Sequence, residues 1–300
     1  MLWTEKYRPQ SLSEIVGQES FKLDAENWVE LKEMPTLLLF GPPGVGKTAG
    51  AIAVARDILG EMFDVNFLEL NASDDRKLEV VRTTIKDFVS QGKIGDVPFR
   101  VILLDEVDGM TADAQNALKR IIERYEKNAR FIFTANDRSR IIYPLQSRCA
   151  NYFFDRLSDE LVQSVIERIL INEGLSLPDK DDLAHVITSY NGDLRRVITE
   201  IQAALASGAS LRMQVNKGLV EYDNILSLII NKEYDKTLTA LKNESYKGRS
   251  VKEICIGLHD VVEKAKIENE MKYKLYRVIG EAEWRSVTVT PRILFGWMIG

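Results

Sequence analysis

"TLLLFGPPGVGKT" (36–48) joins a short apolar run to a glycine-rich loop, and the pattern that follows, "KTAGAIAVARDILG" (47–60), repeats apolar residues at helical spacing. The loop has the form G-x-x-x-x-G-K-[ST], which carries meaning where a strand precedes it and a helix follows. Glycines at 41, 44 and 46 let backbone N–H groups close around phosphate oxygens, and the helix aims its positive end at the same anion. Gly41, Pro42, Pro43, Gly44, Val45 and Gly46 are therefore candidate phosphate-binding residues. Lys47 is suited to the β and γ phosphates and the Thr48 hydroxyl to Mg²⁺, so ATP and Mg²⁺ are the expected cofactors. The plain alternative is a glycine-rich turn without a ligand, and the flanking strand and helix argue against it.

"VILLDEVD" (101–108) supplies the metal side of such a site. A carboxylate at the C-terminal end of a buried parallel strand stands where open α/β sheets bind ligands, so Asp105 is expected to hold Mg²⁺ through water. Glu106, one residue on, is placed to polarise the attacking water. Asn136 ends another apolar run, "FIFTAN", where an amide is suited to orienting water, to touching a γ phosphate or simply to forming a turn. Arg195, in "NGDLRR", opens a helix after a glycine break and is a candidate to fold onto the nucleotide as part of a lid. Arg196 beside it points elsewhere, since adjacent helical residues diverge by about a hundred degrees.

The first half of the chain alternates strand-like runs ("TLLLF", "VNFLEL", "RVILLDEVD", "RFIFTAND") with helical patterns such as "TADAQNALKRIIERYE" (111–126). This alternation predicts an α/β domain with a parallel sheet covered on both faces, ending near residue 155. From "SDELVQSVIERILINEGLSLP" onward helices dominate, with Ser158 as a plausible N-cap and glycine then proline closing the first of them. A pair interrupted at "NGD" follows, and after residue 216 come "YDNILSLIIN", "SVKEICIGLHDVVEKAKI" and "YKLYRVIGEAEWRS". The expected plan is a nucleotide domain over 1–155, a small helical domain over 156–215 and an all-α domain over 216–300.

Three hundred residues exceed one ordinary core, and 45% hydrophobic with 28% charged residues describes a globular chain. No apolar run approaches the roughly 18 residues of a membrane span, and "MLWTEKYRPQ" has no apolar signal core, so a cytoplasmic location away from membranes is expected. Two distant cysteines, Cys149 and Cys255, suggest neither a disulfide framework nor a zinc module. A net charge of −5 excludes a uniformly basic, histone-like binder but leaves room for a basic stripe on one face. In "PLQSRC" (144–149), Arg148 has no carboxylate among its neighbours. It is either a solvated surface arginine or one that serves an anion.

Taken together, "WTEKYRP", "IVGQ", "GPPGVGKT", "LELNASDDR", "LLDEVD", "TAND", "LQSRC" and "GDLRR" resemble the small subunit of replication factor C, the clamp loader of archaea and eukaryotes. The likeness runs through "IGEAEWRS" and "PRI", over nearly the whole chain. It implies an AAA+ ATPase domain, a helical lid and a collar that builds a five-subunit ring from a large subunit and further small subunits. It also implies a sliding clamp and primer-template DNA as partners, in the archaeal cytosol and nucleoid or in a eukaryotic nucleus. Carried onto matching positions, it assigns adenine contacts to the segment around Tyr7, Arg8, Pro9, Val16 and Gln18. Asn136 becomes a first sensor, Arg195 a second sensor and Arg148 an arginine finger, while Arg82 and Lys86 face the DNA backbone. Those two are four apart, so one helical face presents both, and a solvated face is the plain alternative.

Two stretches depart from the family pattern. The end reads "SVTVTPRILFGWMIG", whose Leu294, Phe295, Trp297 and Met298 speak against an exposed hydrophilic tail, and the usual glycine after "SDER" is replaced in "SDDRKL", which leads toward the expected clamp-facing surface. A branch-migration helicase would carry the same phosphate loop, but "SRC" with "EKYRP" argues against one. A non-hydrolysing structural subunit is opposed by the presence of Lys47, Glu106 and Arg148 together.

Overall fold

The uniformly apolar strand runs form the middle of one sheet. The computed structural model describes residues 1–72, 78–176, 178–207, 222–246 and 249–299, and for 78–82, 292 and 299 the backbone only. By contacts the chain divides into two compact units, Met1–Gln214 and Val215–Gly300.

In the first unit β1 (Leu37–Phe40), β2 (Phe67–Asn71), β3 (Arg100–Asp105), β4 (Ala129–Ala135) and β5 (Ala150–Phe153) pair in the order β2-β3-β4-β1-β5, all parallel. Side chains alternate across the sheet. Leu37, Leu39, Val101, Leu103 and Ile132 enter one core, while Leu38, Ile102, Leu104, Phe131 and Phe133 enter the other. Two buried faces explain why the central strands read as continuous apolar runs, whereas the edge strands β2 and β5 keep partly exposed positions. The edge strand β5, "ANYF", is too short and too polar at Asn151 to stand out as a sequence run.

Ten helices are described in this unit. They are α1 (Trp3–Lys6), α2 (Glu19–Leu31), α3 (Lys47–Leu59), α4 (Phe63–Asn66), α5 (Leu78–Ser90), α6 (Ala112–Tyr125), α7 (Tyr143–Gln146), α8 (Asp159–Asn172), α9 (Lys180–Ser189) and α10 (Leu194–Ser207). On α3, Ala51, Ala53, Val54 and Ala55 are fully buried, and their small side chains bring the helix close to the strands. Thr111 caps α6 by accepting from Ala114 N–H, and Ser158 caps α8 by accepting from Leu161 N–H. The run "VNFLEL" begins two residues early as a strand. Asn66 instead closes α4, where its buried amide donates to Met62 O and Ile94 O and accepts from Ile94 N–H.

The second unit contains α11 (Tyr222–Ile230), α12 (Tyr234–Tyr246), α13 (Val251–Lys264), α14 (Asn269–Arg285) and α15 (Pro291–Ile299). Ser250 and Glu253 form a capping box at the start of α13. Leu294 and Phe295 of α15 are buried in the core with Leu241, Ile254, Leu258 and Ile279, so the terminal apolar residues are packing residues of this bundle. Cys149 and Cys255 are free thiols, and burial pushes them up to about 12 and about 11. No described helix is long and apolar enough to cross a membrane.

Candidate active site

Register brings the chemistry to one edge of the sheet. Phe40 pairs with Ala135 and Leu104 with Phe133, so Gly41, Asp105, Glu106 and Asn136 emerge side by side at the C-terminal ends of β1, β3 and β4. Open α/β sheets bind ligands along this edge. The loop 41–46 passes directly into α3, whose N-cap is Gly46 with φ 94°. Gly41 and Gly44 have no room for a side chain: a Cβ at Gly41 would overlap Phe154 O, and one at Gly44 would overlap the carboxylate of Asp193.

Lys47 is buried, 8% exposed, and its Nζ donates to Gly41 O (2.8 Å), Pro42 O (2.7 Å) and Asn136 Oδ1 (2.9 Å). Burial pushes its ammonium down to about 8, against the pull of Asp105 and Asp108. Thr48 Oγ1 donates to Asp105 Oδ1 at 3.0 Å, and the Thr134 hydroxyl donates to the same oxygen while accepting Glu106 N–H at 3.0 Å. Glu106 adopts φ 58°, a left-handed conformation that costs a non-glycine residue roughly 1–3 kcal/mol, and it lines a cavity at this edge of the sheet.

That cavity, about 180 Å³, is also lined by Leu157 and by Val165, Leu194, Arg195 and Ile198 of α8 and α10. Tyr7, Arg8, Pro9, Ile15 and Val16 line it as well. Arg195 lines the cavity, whereas the Arg196 guanidinium lies over the Tyr190 ring, 5.1 Å from its centroid. The two adjacent arginines diverge as helical spacing requires. The segment carrying Tyr7 is tied to the end of α8, since the Tyr7 hydroxyl (2.8 Å) and Lys6 Nζ (2.7 Å) both donate to Glu173 Oε1. Trp3 N–H donates to Gln202 Oε1 of α10.

Five expected site residues among those described, Gln18, Gly41, Pro42, Lys86 and Arg148, do not line the cavity. Gln18 does not line it: its amide donates to Asp155 O (2.9 Å) and accepts Asp155 N–H (3.1 Å), which pins the chain where it leaves the sheet. The carbonyls of Gly41 and Pro42 hold Lys47 from behind the loop. Arg148 lies outside the cavity and, contrary to the view from its sequence neighbours, does have a carboxylate in its own chain, pairing with Glu123. Lys86 is exposed on α5; the Arg82 side chain and residues 73–77 of "SDDRK" lie outside the described residues.

Sequence reasoning missed four contributors. Asp108 is 9% exposed, and its Oδ2 accepts both Asn136 N–H and Asp137 N–H at 3.1 Å, so it fixes the loop that carries Asn136. Its place in "DEVD" was visible, its target was not. Thr134 and Asp193 stood inside "TAND" and "GDLRR" with no sign of their partners, and Glu173 had no local signal at all.

Fold and site together define an ATPase. Residues 37–157 match the ATPase family associated with various cellular activities (AAA), and the chain is an AAA ATPase. The fold is shared with solved structures of RuvB variants from Thermotoga maritima. One of these is 19% identical with a TM-score of 0.56 over 75% of this chain and 80% of that one, and a second is 20% identical with a TM-score of 0.55 over 75% and 79%. The chain belongs to the replication factor C small subunit family. It is 39% identical to the replication factor C small subunit of Methanococcus maripaludis strain C7 over 95% of this chain and 92% of the relative, and 38% identical to that of Archaeoglobus fulgidus over 95% and 91%. Against the Methanosarcina acetivorans protein of the same name it is 47% identical over 68% of this chain and 60% of the relative.

Proposed function

We propose that this ATPase is a clamp-loader small subunit in DNA replication. ATP binding organises a five-subunit ring, made with a large subunit and further small subunits, that opens a sliding clamp and grips primer-template DNA. Hydrolysis then releases the closed clamp on the DNA. The observation that carries the reading is the division of cations: Lys47 and Arg195 line the chain's own nucleotide cavity, and Arg148 does not. An arginine excluded from its own site is suited to a neighbour's γ phosphate.

In this reading Glu106 takes a proton from the attacking water, Lys47 and Arg195 hold phosphate oxygens, and Asn136 orients the water. Tyr7, Arg8, Pro9 and Val16 surround the adenine, with Gln18 bracing them from outside. Thr48 Oγ1 and the Asp105 carboxylate, 3.0 Å apart, are hard oxygen donors of the kind that suit Mg²⁺, with Asp105 acting through water. When bound, Mg²⁺ supplies positive charge that offsets the phosphates. Arg82 and Lys86 face the DNA backbone, residues 156–215 form the lid and residues 216–300 the collar that builds the ring. The work is done in the cytosol and nucleoid, or in the nucleus of a eukaryote.

The test is ATPase activity of the purified complex alone, with clamp, with primed DNA and with both. Strong stimulation by clamp and DNA together is expected. A complex that translocates along DNA with no clamp would point instead to another kind of DNA motor.

A further inference from the structure

The Arg148 guanidinium is held by its own chain at two points. Nη2 donates to Glu123 Oε1 of α6 as an ion pair, and Nη1 donates to Pro144 O at 2.9 Å. The backbone that carries it is anchored. Leu145 is fully buried, Arg148 N–H donates to Leu145 O at 3.1 Å, and the Gln146 amide donates to Ile141 O at 2.7 Å while accepting from Arg138 Nε at 2.8 Å. With the main chain fixed, only the torsions of a long side chain, 33% exposed, decide where the charge waits. Arginine loses much rotamer freedom when it must meet an anion in one geometry. The two contacts remove part of that loss in advance. They occupy two of five N–H donors, leaving Nε–H and one hydrogen on each terminal nitrogen for a phosphate.

We propose that Glu123 is a positioning residue for ATP hydrolysis, holding the Arg148 guanidinium oriented toward the γ phosphate of the neighbouring subunit. The inference rests on the reading of Arg148 as a residue acting in trans. Glu123 is 46% exposed, and an exposed ion pair is weak. Such a pair is a poor lock against a polyanion, but it suffices to bias a flexible side chain, so its removal slows hydrolysis instead of releasing it.

The experiment uses Glu123→Ala, Glu123→Gln and Arg148→Ala, each assembled with its partner subunits, together with the Glu123→Ala/Arg148→Ala pair. Alanine is a good helix former, so α6 should tolerate it. Glu123→Ala is expected to lower kcat about fivefold, the scale of one such contact, with KM for ATP and ring assembly unchanged. Glu123→Gln keeps an acceptor and should recover most of the rate, a rescue that a purely structural role for the charge would not give. On the Arg148→Ala background, Glu123→Ala should remove nothing further. A Glu123→Ala complex at the wild-type rate or faster overturns the positioning role while leaving Arg148 in place. An equal loss on both backgrounds overturns it as well. If Arg148→Ala itself turns over normally, the trans reading fails, and the role of Glu123 fails with it.

Discussion

Two groups of residues that line the cavity are built differently. Around the phosphate loop Lys47 and Thr134 are buried, at 8% and 1% exposure, and two hydrogen-bonded clusters rooted in strand ends form: Lys47 and Asp108 meet on Asn136, while Thr48 and Thr134 meet on the Asp105 carboxylate. The other lining residues come from an N-terminal segment and from α8 and α10, far apart in the chain, and the N-terminal segment is held by the more exposed ties of Tyr7 and Lys6 to Glu173. Low surrounding dielectric makes the buried clusters strong and costly to disturb, whereas solvent screens the more exposed ties. The residues around the phosphate loop are thus preorganised, whereas the N-terminal lining residues depend on their ties to α8 and α10.

The largest effect should come from Glu106→Gln, which keeps the side-chain shape but removes the carboxylate we propose as the base. Turnover in the assembled complex is expected to drop by roughly 10²–10⁴-fold while ATP still binds, measured by single-turnover hydrolysis beside equilibrium binding. Near-normal turnover would move the base elsewhere and break the view of this group as the chemical one. Next, Lys47→Ala should weaken ATP binding by about ten- to a hundredfold, the scale of one charge-assisted hydrogen bond, and leave the circular dichroism spectrum unchanged.

The third prediction concerns pH. Burial lowers Lys47 to about 8 in the free protein, and bound phosphates raise it, so ATP binding takes up a proton between those two values. Affinity should therefore be highest below pH 8 and fall about tenfold from pH 7 to pH 9, as the free lysine loses its proton. Calorimetry in buffers of different ionisation enthalpy reads the proton uptake directly, and a flat profile would mean that Lys47 does not feel its burial. The smallest effect is expected from Tyr7→Phe, which removes only the tie to Glu173. ATP affinity should weaken by about two- to fivefold with kcat at saturation unchanged. A loss as large as that of Lys47→Ala would erase the distinction between the two groups of lining residues.

The residues around the phosphate loop were legible because their signals are local. A strand, a glycine loop and a helix start follow one another in "TLLLFGPPGVGKT", and "LLDE" ends a strand with its acids, so periodicity and turn chemistry reveal them. The apolar lining residues of α8 and α10 were legible only as helix faces, and the bonds that Gln18 makes to Asp155 span the chain and have no local sign.

By itself, the sequence determined the parallel α/β class, the phosphate loop, the acidic strand end and the divergence of Arg195 from Arg196, since each follows from spacing within one helix, strand or turn. Only the tertiary structure decided that Asp108 grips the Asn136 loop, that Thr134 bridges Asp105 to Glu106, that Glu173 holds Tyr7 and that Glu123 holds Arg148. In each case strand order or helix packing brings together residues 25 or more positions apart, and one-dimensional patterns carry no record of such meetings.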